Sequence, residues 1–126
     1  MIKLTFCLKR KPGMSLAEFQ DYWLNHHGPL VRSHKDALQI RKYVQLHSSG
    51  HAADDGLRAS RAASLEAAAD TFDGVAQLWF DSFDSLATNG ENPAAAAAGR
   101  ELLEDERKFI DLANSPLWFG EEHEII

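Results

Sequence analysis

Two segments of this chain alternate apolar and polar residues with a period of two, and between its strand-like segments apolar residues recur at helical spacing. Ile2 to Lys9 reads IKLTFCLK, with Ile2, Leu4, Phe6 and Leu8 on one side and Lys3, Thr5, Cys7 and Lys9 on the other. Ile40 to His47 (IRKYVQLH) shows the same alternation, and Asp73-Gly74 starts a third strand, Val75 to Asp81 (VAQLWFD). A period of two is that of a half-buried strand. After the first strand, Pro12-Gly13 punctuates the chain, and Ser15 with Glu18 three residues later forms a capping box at a helix start. Leu16, Phe19, Tyr22 and Trp23 give that helix one apolar face over 15–27, and Gly28-Pro29 is read as its end. Residues 30–38 read as a short helical or irregular piece.

Ser48-Ser49-Gly50 opens a loop, and Asp54-Asp55-Gly56 is a turn signal. The Ala-rich stretch from Leu57 to Asp70 predicts a peripheral helix. Phe83 to Thr88 predicts a short helical turn, broken at Asn89-Gly90. Pro93 stands at a favourable first helical position. Ala94 to Ala98 follow, then Leu102, Glu106, Phe109 and Ile110 at helical spacing, which predicts a long helix. Asn114-Ser115-Pro116 closes it, and Leu117 to Ile126 predicts a fourth strand.

Strand, helix, strand, insertion, strand, helix, strand is an α+β order. It is the ferredoxin-like βαββαβ plan with a four-stranded antiparallel sheet. The 126 residues make one domain, 1–126, with an Ala-rich insertion at about 50–72. Two helices cover one face of such a sheet and leave the other to solvent or to a partner. One parity gives Ile2, Leu4, Phe6 and Leu8, then Ile40, Val44 and Leu46, then Ala76, Leu78 and Phe80. It is almost purely apolar and is assigned to the helices. The opposite parity gives Lys3, Thr5 and Cys7, then Arg41, Tyr43, Gln45 and His47, then Val75, Gln77 and Trp79. Aromatic and hydrogen-bonding groups together are the lining of a small-molecule pocket. A second copy closing over that face predicts a homodimer in which two sheets wrap into an α/β barrel.

Composition narrows the classes. Hydrophobic residues are 44% and charged residues 25%, as in an ordinary soluble protein. No apolar run approaches the ~20 residues needed to span a bilayer. The opening MIKLTFCLKRK lacks the apolar stretch and cleavage site of a signal peptide, so no membrane association and a cytoplasmic location are expected. The lone Cys7 excludes an intramolecular disulfide framework and a zinc site built on several thiolates. The net charge of −6 divides into +5 over residues 1–47 and −11 over residues 48–126. That acidity argues against a nucleic-acid partner, and the split reads as a solvated surface or as an anion-attracting cleft that would suit a weakly anionic substrate.

His26-His27 ends the first helix. Adjacent helical residues point about 100° apart, so only one of the two can enter a pocket easily. In the functional reading, one is an acid/base group with a pKa near neutrality. In the ordinary reading, both complement the helix macrodipole. Neither His-Glu-x-x-His nor Cys-x-x-Cys occurs, and no metal is expected. No nucleophile elbow, phosphate loop or dinucleotide fingerprint occurs either, and no cofactor is expected. Cys7 reads as a pocket nucleophile or as a small buried filler. Asp105 to Lys108 reads as a solvated helix face, and Trp23 as core.

Taken together, four segments resemble the EthD family of dimeric α/β-barrel proteins. Phe19, Tyr22, Trp23, His27 and Pro29 follow a Phe-x-x-Tyr-Trp…His-x-Pro pattern within Met14 to Val31. Arg41, Tyr43, Gln45 and His47 match Arg-x-Tyr-x-Gln-x-His. Asp73, Gly74, Ala76, Trp79 and Phe80 match Asp-Gly-x-Ala-x-x-Trp-Phe. Asp105, Glu106, Phe109 and Asp111 match Asp-Glu-x-x-Phe-x-Asp. The resemblance spans the chain outside about residues 50–72. It implies a homodimeric, cofactor-independent enzyme of isomerase, cyclase or decarboxylase type. The implied substrate is a carbonyl-bearing cyclic or aromatic acid or lactone, from catabolism or polyketide-like metabolism.

In that reading His27 shuttles a proton, while Tyr43 and His47 donate hydrogen bonds to a developing enolate or oxyanion. Trp79 stacks on the ring, Gln45 and Gln77 orient it, Cys7 lines the pocket, and Arg41 pairs with a carboxylate. Two alternatives stand beside it. One is a non-catalytic accessory or ligand-binding protein of an oxidative degradation system. The other is a heme-binding or monooxygenase-type barrel. Related isomerases carry a pocket cysteine on the third strand, where this chain has Gln77 and Leu78. The stretch 52–70 is long for the family and reads as a lid over the pocket mouth.

Overall fold

Each alternating segment is a strand in the computed structural model, which describes residues 1–61 and 71–126. Strand β1 (Ile2–Leu8) leads to helix α1 (Leu16–Tyr22), a π-helical turn (Trp23–His27) and helix α2 (Gly28–Ser33). Strand β2 (Lys42–His47), helix α3 (Ala53–Ser60) and strand β3 (Gly74–Phe80) follow. Helices α4 (Phe83–Glu91) and α5 (Pro93–Glu106), a 3₁₀ turn (Leu112–Asn114) and strand β4 (Leu117–Gly120) complete the order. The strands lie in the order β2-β3-β1-β4 with every neighbouring pair antiparallel, which is the ferredoxin-like plan of an α+β domain. Among the described residues no helix is long and apolar enough to cross a membrane.

The capping box starts α1 as expected: the Ser15 hydroxyl accepts from the Glu18 N–H at 3.1 Å, and the Glu18 carboxylate reaches back to the Ser15 N–H. Gly28-Pro29 does not end the helix. The backbone widens instead into the π turn, with the Gly28 N–H bonded to the Trp23 carbonyl, and continues as α2. Pro29 falls in the first turn of α2, where a missing N–H is tolerated. Asn89-Gly90 is likewise inside α4. The buried Asn89 amide donates to the Leu38 carbonyl at 2.7 Å and accepts from Gln39, and these tertiary bonds outweigh a local turn preference. Strand β4 is shorter than expected. Helix α3 begins before Leu57. Residues 62–70 of the expected Ala-rich helix, and with them the lid reading, lie outside the described residues.

The helices cover one face of the sheet. Phe6, Leu8, Phe19, Trp23, Ala76, Phe109 and Ile110 form one buried cluster, and Ile2, Val31, Ile40 and Phe80 a second. Gly74 lets Trp23 lie flat on β3: a Cβ there would stand 2.4 Å from the indole and 2.7 Å from the Leu46 carbonyl.

Strand β2 corrects the parity read from the sequence. Tyr43 faces Leu78, Gln45 faces Ala76 and His47 faces Gly74 across the ladder. Directly opposed residues share a face, so Tyr43, Gln45 and His47 lie beneath the helices, and Val44 and Leu46 lie on the open face. The cause sits at the strand's entrance. The Arg41 N–H bonds to the Trp79 carbonyl at 2.8 Å, yet Lys42 is the register partner of Trp79. Two residues against one is a bulge, which reverses the alternation between the buried Ile40 and the half-buried Tyr43.

Candidate functional site

A cavity of about 340 Å³ lies between the helices and their side of the sheet. Leu4, Leu78 and Phe80 form its floor, and Trp23, Val31, Leu86, Leu102 and Ile110 are among its walls. Among the described residues, the polar side chains of His27, Tyr43, Asn89 and Glu106 enter this apolar lining. The π turn separates the two adjacent histidines. His27 is 6% exposed and lines the cavity, whereas His26 is exposed and stacks on Tyr22 with ring centroids 5.1 Å apart. A π turn at a functional position is a recurrent use of that geometry.

Helix α5 places a carboxylate behind His27. The imidazole Nδ1 lies 2.8 Å from Oδ2 of the buried Asp105, and the Tyr22 hydroxyl donates to Oδ1 at 2.5 Å. The Lys108 ammonium stands 3.4 Å from the same Oδ1. Burial lowers the pKa of His27, and the hydrogen bond and charge of Asp105 offset this only in part. Burial pulls Asp105 the other way, but its bonds with Tyr22 and His27 hold its carboxyl below the usual value. Tyr22 is pushed up to about 12 by burial, by its bond to Asp105 and by that group's charge. A neutral imidazole bonded to a carboxylate carries its proton on Nδ1. The lone pair of Nε2 is then available in a ring that lines the cavity, which is the state of a general base.

Tyr43 is set by β2. Its hydroxyl accepts from Gln45 Nε2 at 2.9 Å, and the same amide donates to the Trp23 carbonyl at 2.9 Å. His47 Nε2 lies 2.8 Å from Gln45 Oε1, and the His47 ring stacks on Trp23 at 4.5 Å. With Gln45 as donor, the phenol's own proton is left for another acceptor. Burial raises the Tyr43 pKa, against hydrogen bonds from Gln45 and Trp23 and with the charge of Glu106, so the phenol stays protonated.

Glu106 corrects the reading of Asp105 to Lys108 as one solvated face. Arg107 and Lys108 are exposed, but Asp105 is buried and Glu106 lines the cavity. Among the described residues the Glu106 carboxyl has no hydrogen-bond or ion-pair partner. Burial, and then the charge of Asp105, push its pKa up to about 7. The signal was a carboxylate inside the apolar stripe of Leu102, Phe109 and Ile110.

The other candidate residues divide. His47 and Gln45 line a neighbouring hollow of about 320 Å³ with Leu24, Gly28, Arg32 and Tyr43, and touch the cavity wall through Tyr43 and Trp23. Cys7, Gln77 and Trp79 belong to the opposite face of the sheet. The buried Cys7 has its thiol raised by burial. The Trp79 ring lies between the ammonium groups of Lys3 and Lys42, each 4.8 Å from its centroid, and its Nε1 donates to Glu122. Arg41 is exposed and held by Asp81 through a forked contact of 2.6 and 3.0 Å. The structure therefore brings His27 and Tyr43 into one cavity and leaves Arg41, Gln77, Trp79 and Cys7 outside it. Among the described residues no group of three or more His, Cys, Asp or Glu is disposed to hold a metal ion.

The EthD domain model matches residues 11–113. The chain belongs to the EthD family. The matched span includes both halves of the buried pair, His27 and Asp105, and the two cavity groups Tyr43 and Glu106. This EthD chain is similar in fold to an EthD family protein from Bacillus halodurans, with a TM-score of 0.60 and 22% identity over 98% of this chain and 99% of that one. It is similar to a dimeric protein of ferredoxin-like fold from Bacteroides fragilis, with a TM-score of 0.57 and 13% identity over 96% and 95% of the two chains. A protein from Arabidopsis thaliana aligns with a TM-score of 0.53 and 11% identity over 100% and 99%. No curated protein matches the EthD chain significantly.

Proposed function

We propose that this EthD protein is an acid–base enzyme that moves a proton on a small, uncharged, carbonyl-bearing ring compound. Isomerisation and cyclisation both belong to this chemistry. The carrying observation is the buried His27–Asp105 pair, 2.8 Å apart, on the wall of an apolar cavity. His27 Nε2 accepts a proton from carbon next to the carbonyl. The Tyr43 hydroxyl donates to the oxygen as negative charge develops there. A cavity of about 340 Å³ is at the lower end of small-ligand pockets and suits one or two rings. Among the described residues no Lys or Arg lines it, and a carboxylate placed there would be unpaired and close to Glu106. Lactones and cyclic or aromatic ketones therefore fit better than the acids the sequence suggested. Replacing His27 by alanine is expected to lower the rate of α-proton exchange into cyclic ketones and lactones by about 10²–10⁴. Deuterium incorporation followed by proton NMR measures it, and an unchanged rate removes the imidazole from the chemistry.

The same reading includes a homodimer. Its support is the open face of the sheet, where Leu46 is 58% and Trp118 52% exposed beside Val44 and Val75, and the likeness to a dimeric protein. Sedimentation at micromolar concentration is expected to give a dimer, and Leu46→Asp a folded monomer. A monomeric parent chain would end the dimer proposal.

A further inference from the structure

A proton that leaves one atom of a ligand and arrives at another needs a group at each end. His27 supplies one end of the cavity. Helix geometry supplies the candidate for the other. Consecutive helical residues diverge by about 100°. Here that divergence sends Asp105 behind the imidazole, into an outer hollow shared with Tyr22, His26 and Lys108, and sends Glu106 into the cavity.

The two carboxyl groups then meet opposite surroundings. Asp105 has Tyr22, His27 and Lys108 around it, all of which favour its anion. Glu106 has no such partner among the described residues, in an otherwise mostly apolar lining. The titratable groups that share its surroundings are Tyr43 from β2, His27 from the π turn and Asp105 from its own helix. None of these carries a positive charge at neutral pH. Burial and the charge of Asp105 keep the Glu106 carboxyl protonated up to about pH 7. A pair of groups whose environments push them apart, one neutral base and one neutral acid, is the usual signature of an acid/base assignment.

We propose that Glu106 is the second catalytic residue of this cavity, donating its carboxyl proton to the ligand while His27 Nε2 removes one from carbon. This inference rests on the acid–base reading above. In the step, the C–H bond next to the carbonyl breaks, its proton goes to Nε2, and its electron pair enters the enolate system. A new C–H bond forms at the distal carbon of that system with the proton of Glu106. Imidazolium and carboxylate remain, and proton return from His27 to Glu106 through solvent restores both. Substrate and product are isomers, and no oxidant or reductant is consumed.

The probe is 3-cyclohexenone in deuterated buffer, where exchange at C2 and conversion to 2-cyclohexenone are read in one NMR experiment. Exchange needs the base alone, whereas conversion needs the acid as well. Glu106→Gln keeps the shape and a hydrogen-bond donor but has no carboxyl proton to give. It is expected to lose conversion by about 10²-fold or more, a far larger loss than that of exchange. Undiminished conversion by Glu106→Gln, or exchange without conversion by the parent protein, overturns the role of Glu106 and leaves His27 as a base. Absence of exchange by the parent protein overturns the acid–base reading and this inference with it. Independently of folding of the variant, the carboxyl carbon resonance of Glu106 in the parent protein is expected to titrate near pH 7. A midpoint below about 5 overturns the proposal.

Discussion

Asp105→Asn is expected to lower proton-transfer activity on the order of 10³-fold or more while leaving a folded protein. Asparagine has nearly the same shape and retains a carbonyl oxygen for the Tyr22 hydroxyl, which now donates to Oδ1 at 2.5 Å. Its amide nitrogen, turned to the imidazole, is a donor where the carboxylate was an acceptor. Nδ1 must then accept, and the ring proton moves to Nε2. The cavity loses its base without losing a side chain. Turnover measured beside the nitrogen shifts of His27 tests this directly. A retained Nδ1–H tautomer with full activity would show that Asp105 has no part in setting the base.

Glu106 is expected to make the protein less stable as the medium becomes alkaline. Its pKa is about 7 in the folded protein against an ordinary value of 4.5. The folded state thus holds a proton that the unfolded chain releases between those values. For a carboxyl group raised on folding, the contribution is present below the unfolded pKa and is lost as pH rises through the folded one. The interval corresponds to about 3 kcal/mol, and partial exposure brings the expected loss to about 1–3 kcal/mol. His27 has the opposite sign: its lowered pKa gives a contribution that is lost as pH falls. That term is common to the parent protein and Glu106→Gln and cancels in their difference. Urea unfolding of both at pH 5 and pH 8 is expected to show the variant gaining about 1–3 kcal/mol relative to the parent. A difference independent of pH would mean that Glu106 is solvated.

Both effects arise at positions where the linear pattern and the folded chain disagree. Alternation in β1 and β3 predicted their faces correctly, because nothing interrupts the pleat between Ile2 and Leu8 or between Gly74 and Phe80. In β2 the same rule failed. One extra residue at Arg41–Lys42 reverses every side chain beyond it, and that bulge has no signature in IRKYVQLH. The consequence was to place the pocket on the open face with Gln77 and Trp79. The cavity is under the helices; of the catalytic residues read from the sequence, His27 and Tyr43 line it and His47 lies in the neighbouring hollow.

Periodicity, the turn at Pro12-Gly13 and the Ser15 capping box were enough to specify the βαββαβ order, because they are local and act within a few residues. His27 was legible as a candidate, since an ionisable group beside Gly-Pro and after an aromatic helix face stands out in any reading. Its distinction from His26 was not, because it depends on a π turn that adds one residue to the helical ladder. Asp105 and Glu106 looked like two of four charged neighbours on one helix. Their roles part only when α5 packs on the sheet, so that 100° of helical rotation becomes the difference between the back of an imidazole and the inside of an apolar cavity. Local sequence specifies elements and their order. Which carboxylate ionises and which holds its proton is settled by desolvation and partners, and these exist only after distant segments meet.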